Sequence, residues 1–185
     1  QNITDGITYV VYNISKELSR RGHEVTVYTS DILNLYNNRI RSNIRNTIMD
    51  NVNVYYFRSL VGHKTFFVTP TMINSLKKNI NKFDIIHLHD ARGFQGIITY
   101  LFAKAKKISY VFHSHGAFFH PLPIFNIDKI ARLTLDKIAS ERIVRNASKV
   151  ITLSEIESKK FQKKLPKQRQ NKGQKQFWEI PGKNP

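Results

Sequence analysis

The chain has 185 residues, the size of one ordinary domain and short for a two-domain enzyme, and its 41% hydrophobic and 11% aromatic content is that of a globular protein without the ~18 to 20 apolar residues in a row that a membrane span needs. Cysteine is absent, which excludes a disulfide framework, and no basic-then-apolar leader opens the chain, so the cytoplasm is the expected compartment. A formal net charge of +17 admits nucleic acid or an anionic membrane surface as a partner, but nine Lys or Arg against one Glu lie between Lys159 and Pro185, which leaves the body only moderately basic.

In chain order, Ile7, Val10, Val11, Ile14 and Leu18 fall at helical spacing opposite Lys16, Glu17, Arg20 and Arg21, which predicts an amphipathic helix over 6–21 stopped by Gly22. Residues 23–30, β-branched and aromatic with little polar alternation, read as a strand covered on both faces, and a second strand is expected over 52–58. The Asn- and Arg-rich stretch between them reads as a surface loop with short local structure. A helix over 70–81 precedes a buried strand at 83–90, after which Phe94, Ile97, Ile98, Leu101, Phe102 and Ala105 give the clearest helical stripe in the chain. Residues 110–116 form the next strand, followed by a loop with Pro121 and Pro123 and a long helix over 127–145. Residues 149–153 form the last strand, and Ser154 with Glu157 makes a capping box that opens a further helix. The run 163–185 is polar, rich in Lys and Gln, without periodicity, and is expected to be disordered.

Strands separated by helices in this rhythm predict an α/β, Rossmann-like open parallel sheet with helices on both faces. The first helix has no strand before it, so a first strand is expected to be missing. In such sheets ligands bind beyond the carboxyl ends of the strands. Two strands end in histidine pairs at i, i+2 spacing, His87 with His89 and His113 with His115, and each pair shares one face of its strand. Satisfied rim or core histidines are one reading of these pairs. A metal site helped by Asp90, serving a metal-dependent hydrolase, is another, although no recognised spacing ties the pairs together and His120 is loosely placed. Asp5-Gly6 stands before the first helix, where free amides favour either a phosphate or a simple capping turn. The three-glycine dinucleotide fingerprint is absent, which speaks against a nicotinamide-dependent dehydrogenase.

Taken in order, Gly6-Ile7 through Gly22-His23-Glu24-Val25-Thr26-Val27, Asp84-Ile85-Ile86-His87-Leu88-His89, Phe112-His113-Ser114-His115-Gly116 and Ala147 through Glu155 resemble the amino-terminal domain of retaining glycosyltransferases of family 4, the GT-B type. The resemblance covers about residues 5 to 162. It implies transfer of a sugar from a nucleotide diphosphate sugar to an acceptor hydroxyl, with retention at the anomeric carbon, no cofactor and no obligatory metal. It also implies that this domain serves the acceptor side, with Gly6 near the donor phosphates, His115 as the catalytic group near the reacting sugar, and His89 and Gly116 at the acceptor or sugar. An acceptor glycan or lipid-linked acceptor, peripheral membrane contact and no specific nucleic acid are the partners expected on this reading.

The chain departs from the family pattern in two places. Asp5-Gly6 stands where paired glycines are usual, and the sequence after Phe161 does not continue towards a donor domain. The expectation is therefore a domain over 1–162, a basic tail over 163–185, no carboxyl-terminal donor-binding domain, and little transfer by the chain alone. The alternative is a non-enzymatic module that binds nucleic acid or anionic lipid through its basic tail.

Overall fold

The computed structural model describes residues 6–32, 45–63, 66–116, 139–164 and 177–179. The chain divides into two compact units, Gln1–Lys78 and Asn79–Pro185.

In the first unit, helix α1 (Gly6–Arg20) leads into strand β1 (Thr26–Ser30). The helix ends as its glycine predicts. Gly22 takes a φ of +89°, its N–H donates to the Ser19 carbonyl and the His23 N–H reaches back to that of Leu18, a Schellman motif. Strand β3 (Val52–Phe57) pairs in parallel with β1, Thr26 opposite Asn53, and in antiparallel with β2 (Asn46–Met49), Met49 opposite Val52. Asp50 and Asn51 join β2 to β3 with φ of +50° and +60°, the left-handed pair that a two-residue hairpin turn of matching twist requires. This turn is tied to α1, because Asp50 accepts from the Tyr12 hydroxyl and pairs with Lys16 at 3.1 Å, while Ser19 Oγ donates to the Asn51 carbonyl at 3.3 Å. A second hairpin, β4 (Val61–His63) with β5 (Phe66–Val68), precedes helix α2 (Pro70–Asn79).

The second unit opens with a 3-10 turn, Ile80–Lys82, and then alternates strand and helix: β6 (Ile85–His89), α3 (Phe94–Lys106), β7 (Ser109–His113), α4 (Glu141–Asn146), β8 (Lys149–Thr152), α5 (Glu155–Lys164) and β9 (Phe177–Glu179). The four strands lie in the order β6-β7-β8-β9, all parallel, with Leu88 beside Phe112 and Phe112 beside Val150. Alternation along the strands sends Leu88, Tyr110, Phe112 and Val150 to one face, where they share a core with Tyr100 and Ala103 of α3, Ile143 and Val144 of α4 and Phe161 of α5. The Tyr110 hydroxyl reaches the Ile143 carbonyl inside it.

The architecture is α/β, with a correction to the expected sheet. Three sheets rather than one open parallel sheet occur among the described residues, and β2 runs antiparallel. Among the described residues of the second unit, α3, α4 and α5 all cover the same face. A strand order that steps steadily in one direction, joined by crossovers of a single hand, puts successive helices on one side. The expectation of a missing first strand concerns residues before α1, which lie outside those described, as do Asp5, His120, Pro121, Pro123 and the 127–138 part of the expected long helix. Within 163–185, α5 extends to Lys164 and Phe177–Glu179 joins the sheet beside β8.

The stripe on α3 holds in part, with Ile98 buried, Ile97 against the core and Phe94 and Phe102 half-buried, and the buried face is turned towards the small residues. The residues the helix buries are Gly96, Ile98, Tyr100 and Ala103, while Leu101 is 55% exposed. Gly96 explains the rotation, because a Cβ there would come within 2.7 Å of the Asp90 carbonyl oxygen, so this small position is the side on which the helix approaches its preceding loop.

Candidate functional site

The face of the second sheet opposite its helices carries histidines. His87 and His89 project from β6 on that face, and the register β6 to β7 sets His113 directly beside His89. Beyond β7, Ser114 is held by its amide and hydroxyl to the Ile151 carbonyl at 3.2 and 3.3 Å, and His115 follows with a φ of +51°. That left-handed turn folds His115 back over the strand ends. Its Nε2 lies 2.7 Å from His89 Nδ1, so one ring donates and the other accepts.

The two histidine pairs of the sequence are therefore a single cluster. Ring centroids are 4.1 Å apart for His87 and His89, 3.9 Å for His113 and His115, and 5.5 Å for His89 and His113 across the strands. One nitrogen from each of His87, His89 and His113 can be chosen so that all lie within 4.8 Å of one another. Both ring nitrogens of the fully buried His113, and Nε2 of His87, have no hydrogen-bond partner among the described residues. A buried polar atom left unpaired costs about 1–3 kcal/mol, so the fold tolerates this cluster against its own stability.

Burial is the main influence on the titration of these rings. It pushes His87 down to about 4 with help from His115, His89 to about 2 with help from His87, His115 and His113, and His113 to about 3 with help from His115 and His87. All three are neutral imidazoles at neutral pH, each with one lone pair and one N–H.

Both neighbouring strands end in a left-handed non-glycine residue, Asp90 at φ +69° after β6 and His115 after β7. Such backbone is uncommon outside glycine and gathers at functional sites. Asp90, considered as a metal ligand from sequence, stands outside the group of nitrogens, its Oδ1 accepting from the Arg92 amide at 3.0 Å. Gly116 follows His115 at φ +75°, with Leu153 Cδ1 3.8 Å from where a Cβ would lie.

Ser154 and Glu157 form the expected cap with a shift of one residue. Ser154 Oγ accepts from the Glu157 amide at 3.3 Å, but Glu157 Oε2 accepts from the Leu153 amide at 3.0 Å rather than from that of Ser154. The remaining sequence candidate, Gly6, belongs to the first unit. It is the first residue of α1, exposed, and a Cβ there would meet nothing within 4 Å. A shallow depression of about 200 Å³ on that unit, lined by Asn46, Thr47, Ile48, Asn53 and Tyr55, is far poorer in reactive groups than the histidine cluster.

The spacing of each histidine pair is legible in sequence, but their union is not, because it depends on the pairing register of β6 with β7.

The family model of Glycosyltransferase Family 4 matches residues 4–170, and the chain belongs to that family. Membership implies a nucleotide-sugar donor and an acceptor molecule as reaction partners. No curated protein matches the chain significantly. No helix among the described residues is long and apolar enough to cross a membrane.

Proposed function

We propose that this chain supplies the acceptor-side, amino-terminal domain of a GT-B glycosyltransferase, which moves a sugar from a nucleotide diphosphate sugar to an acceptor hydroxyl with His115 against the reacting sugar. The observation that carries this reading is the His89–His115 contact of 2.7 Å at the carboxyl rim of parallel strands, the end at which open α/β sheets bind ligands.

An imidazole gripped by a second imidazole keeps one ring orientation. That preorganisation is what a group must have to hydrogen-bond a sugar hydroxyl or to stabilise charge developing at the anomeric carbon. His89 orients His115 in this scheme and lines the sugar or acceptor pocket beside it. Gly116 brings its backbone close to the sugar, a role its left-handed φ of +75° supports. Support for Gly6 as a donor-phosphate contact comes from its place at the first turn of α1, where amides without intrahelical partners face an anion unhindered by a side chain. The acceptor is a glycan or a lipid-linked molecule, and peripheral contact with a membrane belongs to the second case.

Titration of the full chain with nucleotide sugars and plain nucleoside diphosphates, by calorimetry and ligand-observed NMR, tests this reading. The expected result is binding of the nucleotide sugar that weakens at least ~10-fold in His115→Ala, with the far-ultraviolet circular dichroism unchanged; interactions of a hydrogen-bonded side chain with a sugar are worth about 1.5 kcal/mol or more when buried. Binding of equal strength in His115→Ala would remove His115 from the sugar.

A further inference from the structure

The transfer reaction gives no task to His87 and His113. We propose that His87, His89 and His113 together bind one divalent transition-metal ion of the zinc type. This inference rests on the geometry of the cluster alone and holds whether or not the chain transfers a sugar.

Three neutral imidazoles are a ligand set that zinc and its neighbours accept. Zinc–nitrogen bonds of about 2.0–2.1 Å at a tetrahedral centre place ligand atoms ~3.3 Å apart. The three histidine nitrogens already lie within 4.8 Å of one another, and turning His87 out of its stack on His89 and His113 (interplanar angles of 28° and 11°) is the side-chain rotation that brings the lone pairs to one point. Two strands in fixed register carry them, His89 directly beside His113 and His87 two residues earlier on the face of His89. Preorganisation on rigid strands is what a tight site requires.

The unpaired nitrogens point to the same conclusion. Both nitrogens of His113 and Nε2 of His87 are buried without partners among the described residues, and a metal ion takes up a lone pair that protein groups leave unused. His115 adds the outer contact that metal-bound histidines normally have. When His89 Nδ1 donates across the 2.7 Å contact to His115 Nε2, the lone pair of His89 sits on Nε2. Three neutral ligands leave the ion its full charge and one open position, suited to water or to an anionic oxygen.

The test uses the full chain, stripped of metal with a chelator and titrated with cobalt(II), whose visible absorption is intense in tetrahedral and weak in octahedral surroundings. We expect one cobalt per chain with the tetrahedral spectrum, displaced by zinc. His89→Ala should weaken binding by more than the ~10–100-fold that loss of an outer contact causes, His115→Gln by an amount within that range, and His23→Ala, exposed and in the other unit, not at all. Because substitution of buried His113 can unfold the chain, the ligands are identified in the unaltered protein. Zinc added to protein carrying 15N-labelled histidine should shift a ring nitrogen of three of the seven histidines, assigned to positions 87, 89 and 113. Absence of stoichiometric binding, an octahedral spectrum of equal affinity in His89→Ala, or zinc shifts confined to histidines other than 87, 89, 113 and the contacting 115 would each overturn the proposal.

Discussion

Both units of this chain bury apolar side chains, Val52, Val54, Phe57, Met72 and Leu76 in the first, and they differ in how their helices are held. In residues 1–78, α1 buries only Ser15 outright, Ile7 and Leu18 remain 40% and 37% exposed, and the helix is held to the β2–β3 turn by Asp50, with Glu17 bridging Arg20 and Arg21 at 2.8 Å each. In residues 79–185, four parallel strands and three helices enclose Tyr100, Tyr110, Phe112, Ile143, Val144, Val150 and Phe161. Exposed ion pairs contribute little and weaken with salt, whereas buried aromatic and aliphatic surface contributes at about 25 cal/mol per Å². The comparison teaches that the unpaired histidines lie in the unit whose core can carry their desolvation.

Acid is the strongest way to separate the units. A histidine whose folded pKa lies below its ordinary 6.5 destabilises the fold only when protons are available to the unfolded chain. Its unit is fully stable above 6.5 and loses stability as pH falls from there towards the folded values of about 4, 2 and 3. Each ring that stays neutral in the fold while it protonates in the unfolded chain adds to this loss as the pH falls below 6.5. The carboxylates of the first unit act in a lower window. Glu17 is held down to about 2 by hydrogen bonds from Arg20 and Arg21, and Asp50 is lowered by Tyr12 and Lys16, so their contribution is present above the ordinary carboxylate range and fades only below it. Residue-resolved NMR between pH 7.5 and 4.5 should show residues 79–164 losing their native signals first. Simultaneous loss in both units, or a second unit unchanged at pH 4.5, would break the contrast.

Truncation of the core sharpens the same point on a smaller scale. Phe112, 1% exposed, meets Phe161 edge-on at 6.4 Å, and Phe112→Ala should lower stability by about 3–5 kcal/mol in denaturant titrations. Ile48 in β2 is 71% exposed, and Ile48→Ala should stay within ~0.5 kcal/mol. Comparable losses at the two positions would mean that Ile48 is covered in solution, against its 71% exposure here.

What the sequence revealed follows the range of the interactions involved. The Gly22 stop, the strands that became β6, β7 and β8, and the Ser154–Glu157 cap depend on neighbours within a few residues, and each was legible. The β2–β3 hairpin was missed because Asp50-Asn51 lacks the glycine that usually marks a left-handed turn, and the signal available was two turn-forming residues between Met49 and Val52. The hairpin of β4 with β5 was likewise not read. The stripe on α3 is legible at Ile97 and Ile98 but not at Leu101, since a stripe counts apolar side chains and close approach favours the small Gly96 and Ala103. Placement of three helices on one face follows from strand order, and the histidine cluster from strand register. Both are non-local properties.

Gly96 and Gly6 give the smallest and most specific contrast. Gly96→Ala gains about 1 kcal/mol of helix propensity but places a methyl group 2.7 Å from the Asp90 carbonyl oxygen and 3.4 Å from Ala91 Cα, contacts with backbone that no side-chain rotation relieves. Overpacking of this kind costs about 1–3 kcal/mol, so the net change is a loss of ~1 kcal/mol. Relief comes by moving the Asp90 turn, which follows directly on His89, so the ring signals of His89 and His115 should shift in NMR although neither residue has changed. Gly6→Ala meets nothing within 4 Å and should leave stability within ~0.5 kcal/mol and the histidine signals in place. Its methyl group would instead crowd an anion at the start of α1, so weaker nucleotide-sugar binding at unchanged stability is the expected result. If Gly96→Ala leaves the His89 and His115 signals fixed, the β6–α3 turn does not set the position of the histidine pair.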